Sequence, residues 1–290
     1  MKKRGLVYII LACILWGTSG IFVNNLAPYG VTSIQMTFIR GLVAFVCMGV
    51  FVLISDRGIV KTNLREILLF AGSGVSFFLT ATCYYQSMQL TSVSTAVVLM
   101  YTAPIFVMIY STTFLGEKIN LKKLIAVIGM IAGCCLVSGI IGGLKINIAG
   151  IAIGFLSGIS YASYNIITKI EMQKGINPVK ANFYCFLFSL LVGLLFAKPA
   201  GILDCISKNP PVVISLSLGV GFFACILPYF LYTMALKEIP AGTASSLAIL
   251  EPMSATIISV LILGEILSLY SIIGIVLILG SVFLLSKEEQ

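Results

Sequence analysis

The stretch Thr243–Glu265, TASSLAILEPMSATIISVLILGE, decides the fold. Between Ile239 and Gly264 it carries one charge, Glu251, followed at once by Pro252. A helix rising ~1.5 Å per residue crosses a ~30 Å hydrocarbon layer in ~20 residues. Glu238 and Glu265 mark the two ends of such a span, which puts Glu251 near mid-depth. A carboxylate there is costly unless a partner, water or a proton relieves it. Pro252 also deprives a carbonyl one turn earlier of its helical donor. An acid beside a broken helix at mid-membrane is a functional-site candidate by default. The plainer alternative is a protonated Glu251 that hydrogen-bonds a neighbouring helix for packing.

The same character extends over the whole chain. Of its 290 residues 59% are hydrophobic and 10% charged, with a mean hydropathy of +1.11, whereas a soluble domain carries about 25% charged residues. Ten apolar runs fill most of the length, at about 6–26, 32–54, 67–88, 93–114, 121–141, 148–168, 179–197, 211–236, 242–263 and 267–286. The expectation is an all-α membrane protein of ten transmembrane helices, placed in the cell membrane with the lipid bilayer as its surroundings. Lys2, Lys3 and Arg4 ahead of the first run resemble a signal peptide, but Gly17–Gly20 make a poor cleavage site, so the run is read as the first span.

The eight cysteines form no C-x-x-C, and seven of them fall inside predicted spans, which fits packing better than a disulfide frame or a metal site. The chain has no His, which removes the commonest acid–base and metal-binding side chain and argues against an enzyme. No cofactor is expected. The net charge of +8 is spread over loops, which is wrong for nucleic-acid binding. Fourteen of the eighteen Lys and Arg residues fall on the side of the N-terminus and three on the other, with Arg40 inside a span. By the positive-inside rule both termini face the cytoplasm.

Shifted by 148 positions the chain matches itself: Tyr84 falls on Tyr232, Thr95–Ala96 on Thr243–Ala244, Pro104 on Pro252, and Gly116–Glu117 on Gly264–Glu265. The earlier parts align more weakly, with Gly5 on Gly150 and Trp16 on Tyr161. Five spans per unit is an odd number, so the second unit (145–290) inserts upside down relative to the first (1–144). Inverted repeats with proline-interrupted helices in matching places are the layout of many secondary transporters, with the substrate site near the midplane. Symmetry breaks at Glu251, whose counterpart is Ala103.

The chain resembles the EamA-type transporters of the drug/metabolite transporter superfamily. The residues that carry this likeness are Tyr101–Phe106 (YTAPIF) with Gly116–Glu117, Leu250–Glu251–Pro252 with Gly264–Glu265, Trp16–Gly17 and Arg40. The resemblance implies transport of small molecules, among them amino acids, other metabolites and toxic compounds, mostly as export. Tyr161 stands where the first unit has Trp16–Gly17, a departure from the family pattern.

The candidate substrate-binding residues are Trp16, Arg40, Tyr84, Tyr101, Tyr161, Asn165, Tyr232 and Glu251, with Glu251 also the candidate to carry a coupled proton. Trp16 is a cavity wall or a packed ring bonded to a carbonyl. Arg40 pairs with Glu251, binds a substrate carboxylate, or snorkels. Tyr84 and Tyr232 are expected to face a shared centre, while Tyr85 packs. Tyr161, Asn165 and Thr168 share one helix face. Pro104, Pro228 and Pro252 are candidate breaks or hinges, and the glycine stripes Gly129/Gly133 and Gly150/Gly154/Gly158 are packing surfaces. The reading is a secondary transporter of small organic metabolites such as amino acids, with protons as a candidate coupling ion, working as a monomer or homodimer. Its alternatives are an organic-cation or drug transporter with an aromatic cage around Glu251, a membrane sensor or partner protein without flux, and, least favoured, a membrane enzyme.

Overall fold

The structure is a computed structural model and describes residues 3–55, 57–91, 93–114, 116, 121–137, 147–263 and 268–288. Among these residues every element of secondary structure is a helix. In chain order the helices are α1 (Lys3–Gly17), α2 (Ser19–Leu26), α3 (Ser33–Ser55), α4 (Leu64–Leu90), α5 (Val93–Met100), α6 (Ala103–Phe114), α7 (Leu121–Val137), α8 (Ile148–Gln173), α9 (Pro178–Phe196), α10 (Pro199–Lys208), α11 (Pro210–Gly221), α12 (Leu227–Glu238), α13 (Ala241–Leu247), α14 (Leu250–Leu263) and α15 (Leu269–Glu288).

Eight of the ten expected runs are helices long and apolar enough to cross a membrane among the described residues, while Leu269–Leu284 is a shorter apolar helix. α7 has 17 residues, and 138–146, with the boundary between the two expected units, lie outside the described residues. So do Glu117 and Gly264–Glu265 of the matched Gly-Glu pairs.

Local chemistry sets the helix starts. Asn63 Oδ1 accepts from Glu66 N at 3.0 Å, Asn147 Oδ1 from Gly150 N at 2.9 Å, and Asn177 Oδ1 from Val179 N at 2.8 Å. Each is an N-cap that satisfies a donor the helix cannot, and Pro178 then opens α9. α8 runs five residues past its expected end at 168. Lys169 Nζ donates to Leu236 O and Ile239 O, each at 2.7 Å, and closes the end of α12. That extension draws Glu171 inside, where it is buried, whereas Arg40 and Glu251 are half-buried.

Helix pairings come in matched sets. α4 packs along α8 as α1 packs along α12, α4 on α9 as α3 on α11, and α6 on α8 as α14 on α1, while α3–α9 and α7–α15 are each a single pair. Glycines make the closest of these contacts. A Cβ on Gly133 would stand 2.8 Å from Gly274 O, one on Gly158 would stand 2.9 Å from Leu99 O, and one on Gly17 would stand 2.8 Å from Ala255 N. Backbones meet there with no room for a side chain.

Candidate functional site

The apolar spans are interrupted where prolines stand. α5 and α6 part at Tyr101–Thr102, ahead of Pro104, and α13 and α14 part at Ala248–Ile249, ahead of Pro252. Pro252 cannot donate to Ala248 O; that carbonyl instead accepts from Glu251 N at 2.9 Å, and the Cys13 thiol of α1 stands 3.8 Å away. Between α11 and α12 the chain makes a π turn, Phe222–Ile226, ahead of Pro228. Pro228 leaves Ala224 O without its helical donor, and Arg40 Nη2, from α3, donates to that carbonyl at 3.0 Å. Arg40 is thus anchored by the break, and its Nε has no partner.

These interruptions surround two adjoining cavities of about 260 and 400 Å³ that share Trp16, Ser19, Gly20, Tyr84, Met100 and Glu251 as walls. Tyr101 and Pro252 line the smaller one. Arg40, Thr80, Tyr85, Tyr161 and Tyr229 line the larger. Glu251 accepts a hydrogen bond from Tyr101 Oη at 2.7 Å. It faces the same cavity as Arg40 without an ion-pair contact between the two. Trp16 Nε1 is buried and unpartnered; its ring packs on Tyr229 and Tyr232 at 5.0 and 5.4 Å.

Six of the eight expected residues therefore meet around the cavities: Trp16, Arg40, Tyr84, Tyr101, Tyr161 and Glu251. Asn165 and Tyr232 do not. Both are fully enclosed, where Tyr232 Oη donates to Asn165 Oδ1 and Asn165 Nδ2 donates to Tyr161 O at 2.7 Å. Tyr84 and Tyr232 share no centre. Tyr85 and Tyr229, outside the expected set, both reach the larger cavity. A π turn inserts an extra residue and re-aims the helix beyond it, so α12 turns Tyr229 to the cavity and Tyr232 to the core. Helical spacing alone carries no such signal. The larger cavity spans two faces of α4, so Tyr84 and Tyr85, about 100° apart on the helix, both line it.

Rings, one acid and one guanidinium thus line cavities bordered by broken apolar helices. The EamA-like transporter family matches residues 3–139 and again residues 148–287. The chain belongs to that family. It is a multi-pass membrane protein and a transporter by family. An "uncharacterized transporter" of Archaeoglobus fulgidus is 28% identical over 99% of this chain and 97% of its own length. The "uncharacterized transporter YwfM" of Bacillus subtilis is 29% identical over 98% of this chain and 94% of its own length. The "uncharacterized inner membrane transporter YicL" of Salmonella typhimurium is 25% identical over 99% of this chain and 97% of its own length. A solved crystal structure superposes with a TM-score of 0.81 at 13% identity, over 99% of both chains, which is a likeness of fold.

Proposed function

We propose that this EamA-like transporter is a proton-linked secondary transporter that exports small organic metabolites, amino acids or their relatives, across the cell membrane. In this reading the apolar runs are ten spans in two inverted units, 1–144 and 145–290, with both termini cytoplasmic. Support comes from the separate family match to each half and from helix pairings that come in matched sets.

Glu251 carries the reading. It stands at the wall common to both cavities, beside a helix break, with Tyr101 as its side-chain partner. A carboxyl that is neutral facing one side of the membrane and ionised facing the other couples proton movement to solute movement. Arg40 in the same cavity suits the carboxylate of a zwitterion and Glu251 its ammonium group. Two buried N–H groups without acceptors, Trp16 Nε1 and Arg40 Nε, favour a solute that brings oxygens. The cage of Trp16, Tyr84, Tyr85, Tyr161 and Tyr229 supports a second reading, an organic cation held by ring faces and Glu251.

The deciding experiment is uptake of pooled radiolabelled amino acids and quaternary amines into proteoliposomes, with and without a pH gradient, for wild type and Glu251→Gln. Gradient-stimulated amino-acid uptake that is lost in the variant is the expected result. Uptake confined to quaternary amines favours the second reading. Equal, gradient-independent flux in both proteins removes the coupling role. Solute binding without flux would make the protein a sensor.

A further inference from the structure

Glu171 is a second buried acid, and the cavities leave it unused. It lies on α8 ten residues past Tyr161, roughly 15 Å along the helix, and two residues before α8 ends. Only 1% of it is exposed. Its partner Ser73 lies on α4 eleven residues before Tyr84, so the antiparallel helices bring the two to one level. Between that level and the larger cavity stands a knot of rings. Tyr229, a cavity wall, meets Phe77, Tyr164 and Phe186 with centroids 4.7, 5.7 and 6.5 Å away, and Phe77 also meets Tyr164 and Phe186.

Two hydrogen-bond arrangements are open to Glu171: the Ser73 hydroxyl donates to it, or its protonated carboxyl donates to Ser73 Oγ. Ser73 Oγ is 3.1 Å from both Phe70 O and Glu171 Oε1. A serine hydroxyl has one hydrogen. If Ser73 gives it to Phe70 O, the bond to Glu171 needs a hydrogen from the carboxyl. The groups facing this level are Tyr164 on α8, Ser73 on α4 and Cys185 on α9, while α12 presents Thr233 towards Tyr164. None of these is a cation. The nearby lysines point elsewhere: Lys169 to the end of α12, and Lys180 to Glu66 Oε2 and Lys61 O, each at 2.5 Å. Among the described residues no cation faces a carboxylate enclosed here to offset its lost hydration, so this packing accommodates the neutral acid.

We propose that Glu171 is a second proton-carrying carboxyl, which exchanges its proton with water on the membrane face where α8 ends while Glu251 serves the cavity. When water from that face reaches Glu171, its O–H bond breaks. The proton passes to water, and the electron pair stays on the carboxylate; reloading reverses the step. This rests on the proton-linked reading above.

The test begins with the proton itself. Infrared difference spectra between acidic and alkaline buffer are taken on purified protein in nanodiscs, for wild type, Glu171→Gln, Glu251→Gln and Ser73→Ala. A protonated-carboxyl C=O band that is lost in Glu171→Gln, kept in Glu251→Gln and shifted in Ser73→Ala is expected. A band set unchanged in Glu171→Gln overturns the proposal. Should that variant fail to fold, an unshifted Ser73→Ala spectrum overturns it equally. Proteoliposomes with the labelled amino-acid panel then separate coupling from structure. Glu171→Gln should keep solute exchange without a gradient and lose the gradient's stimulation. Equal losses in both assays, or unchanged stimulation, overturn it. A wild type that ignores the gradient would instead sink the proton-linked reading, and the coupling role of Glu171 with it.

Discussion

At the scale of single residues, the contact between Tyr101 and Glu251 joins the two halves of the sequence, 150 positions apart. Tyr101 brings the only side-chain hydrogen bond to Glu251 among the described residues. A bond to an ionisable acid contributes about 1.5–3 kcal/mol. Tyr101→Phe should therefore slow gradient-driven uptake of the amino-acid panel roughly tenfold or more, with folding retained because the ring still fills its place. Gel filtration together with uptake rates checks this. Gly20 offers a contrasting case. It lines both cavities, and a Cβ there would have open space around it. Gly20→Val should leave thermal stability near wild type and block uptake by filling the cavity. A large fall in melting temperature would mean that the position is structural.

At the scale of elements, the breaks are held by neighbours rather than by their own chain. Arg40 satisfies the carbonyl that Pro228 frees in the helix opposite, and this makes a quantitative expectation. Arg40→Ala should destabilise the protein by about 1–3 kcal/mol, because it leaves a buried acceptor unpaired. In a Pro228→Ala background residue 228 can donate to Ala224 O, so the same Arg40→Ala change should cost less. A double-mutant cycle by thermal unfolding in detergent should give a coupling of roughly 1 kcal/mol. Additive effects would show that Arg40 does not secure the break. Close helix pairs make a second expectation. Gly133→Ala on α7 would press a methyl into Gly274 O and Ile278, and overpacking of this kind typically costs about 1–3 kcal/mol. Gly175→Ala meets no neighbour, but its φ of +72° resists any side chain, so its cost should come from the turn alone.

At the scale of the whole molecule, the expectation concerns sidedness. The turn at Lys174 and the short helix α10 close opposite ends of α9. In a background without the native cysteines, Lys174→Cys should react with an impermeant maleimide only after cells are opened. Ser207→Cys on α10 should react in intact cells. Reversed labelling would overturn the assignment of both termini to the cytoplasm. α10 itself was not expected from the sequence. Its ten residues mix Asp204 and Lys208 with apolar ones, and Ile202 and Cys205 are buried. So short a segment is too polar to register as a span and too apolar to read as a plain loop.

The bilayer accounts for the part of this protein that is legible in its residues alone. Hydrocarbon admits only long apolar helices and makes every enclosed charge costly. The spans, the broken ones and the isolation of Glu251 were therefore written locally, in composition and in the placing of proline. Trp16, Arg40, Tyr84, Tyr101 and Tyr161 were legible for the same reason, as polar or amphipathic groups deep in apolar runs. Tertiary structure alone decided which of them meet. It withdrew Asn165 and Tyr232 into a bond with each other and brought Tyr85 and Tyr229 to the cavity. It also tied Arg40 to a carbonyl on α11–α12 and buried Glu171 under α4 and α9. The reason is physical: where a side chain points past a π turn, and which freed carbonyl finds a donor, depend on the helix packed opposite.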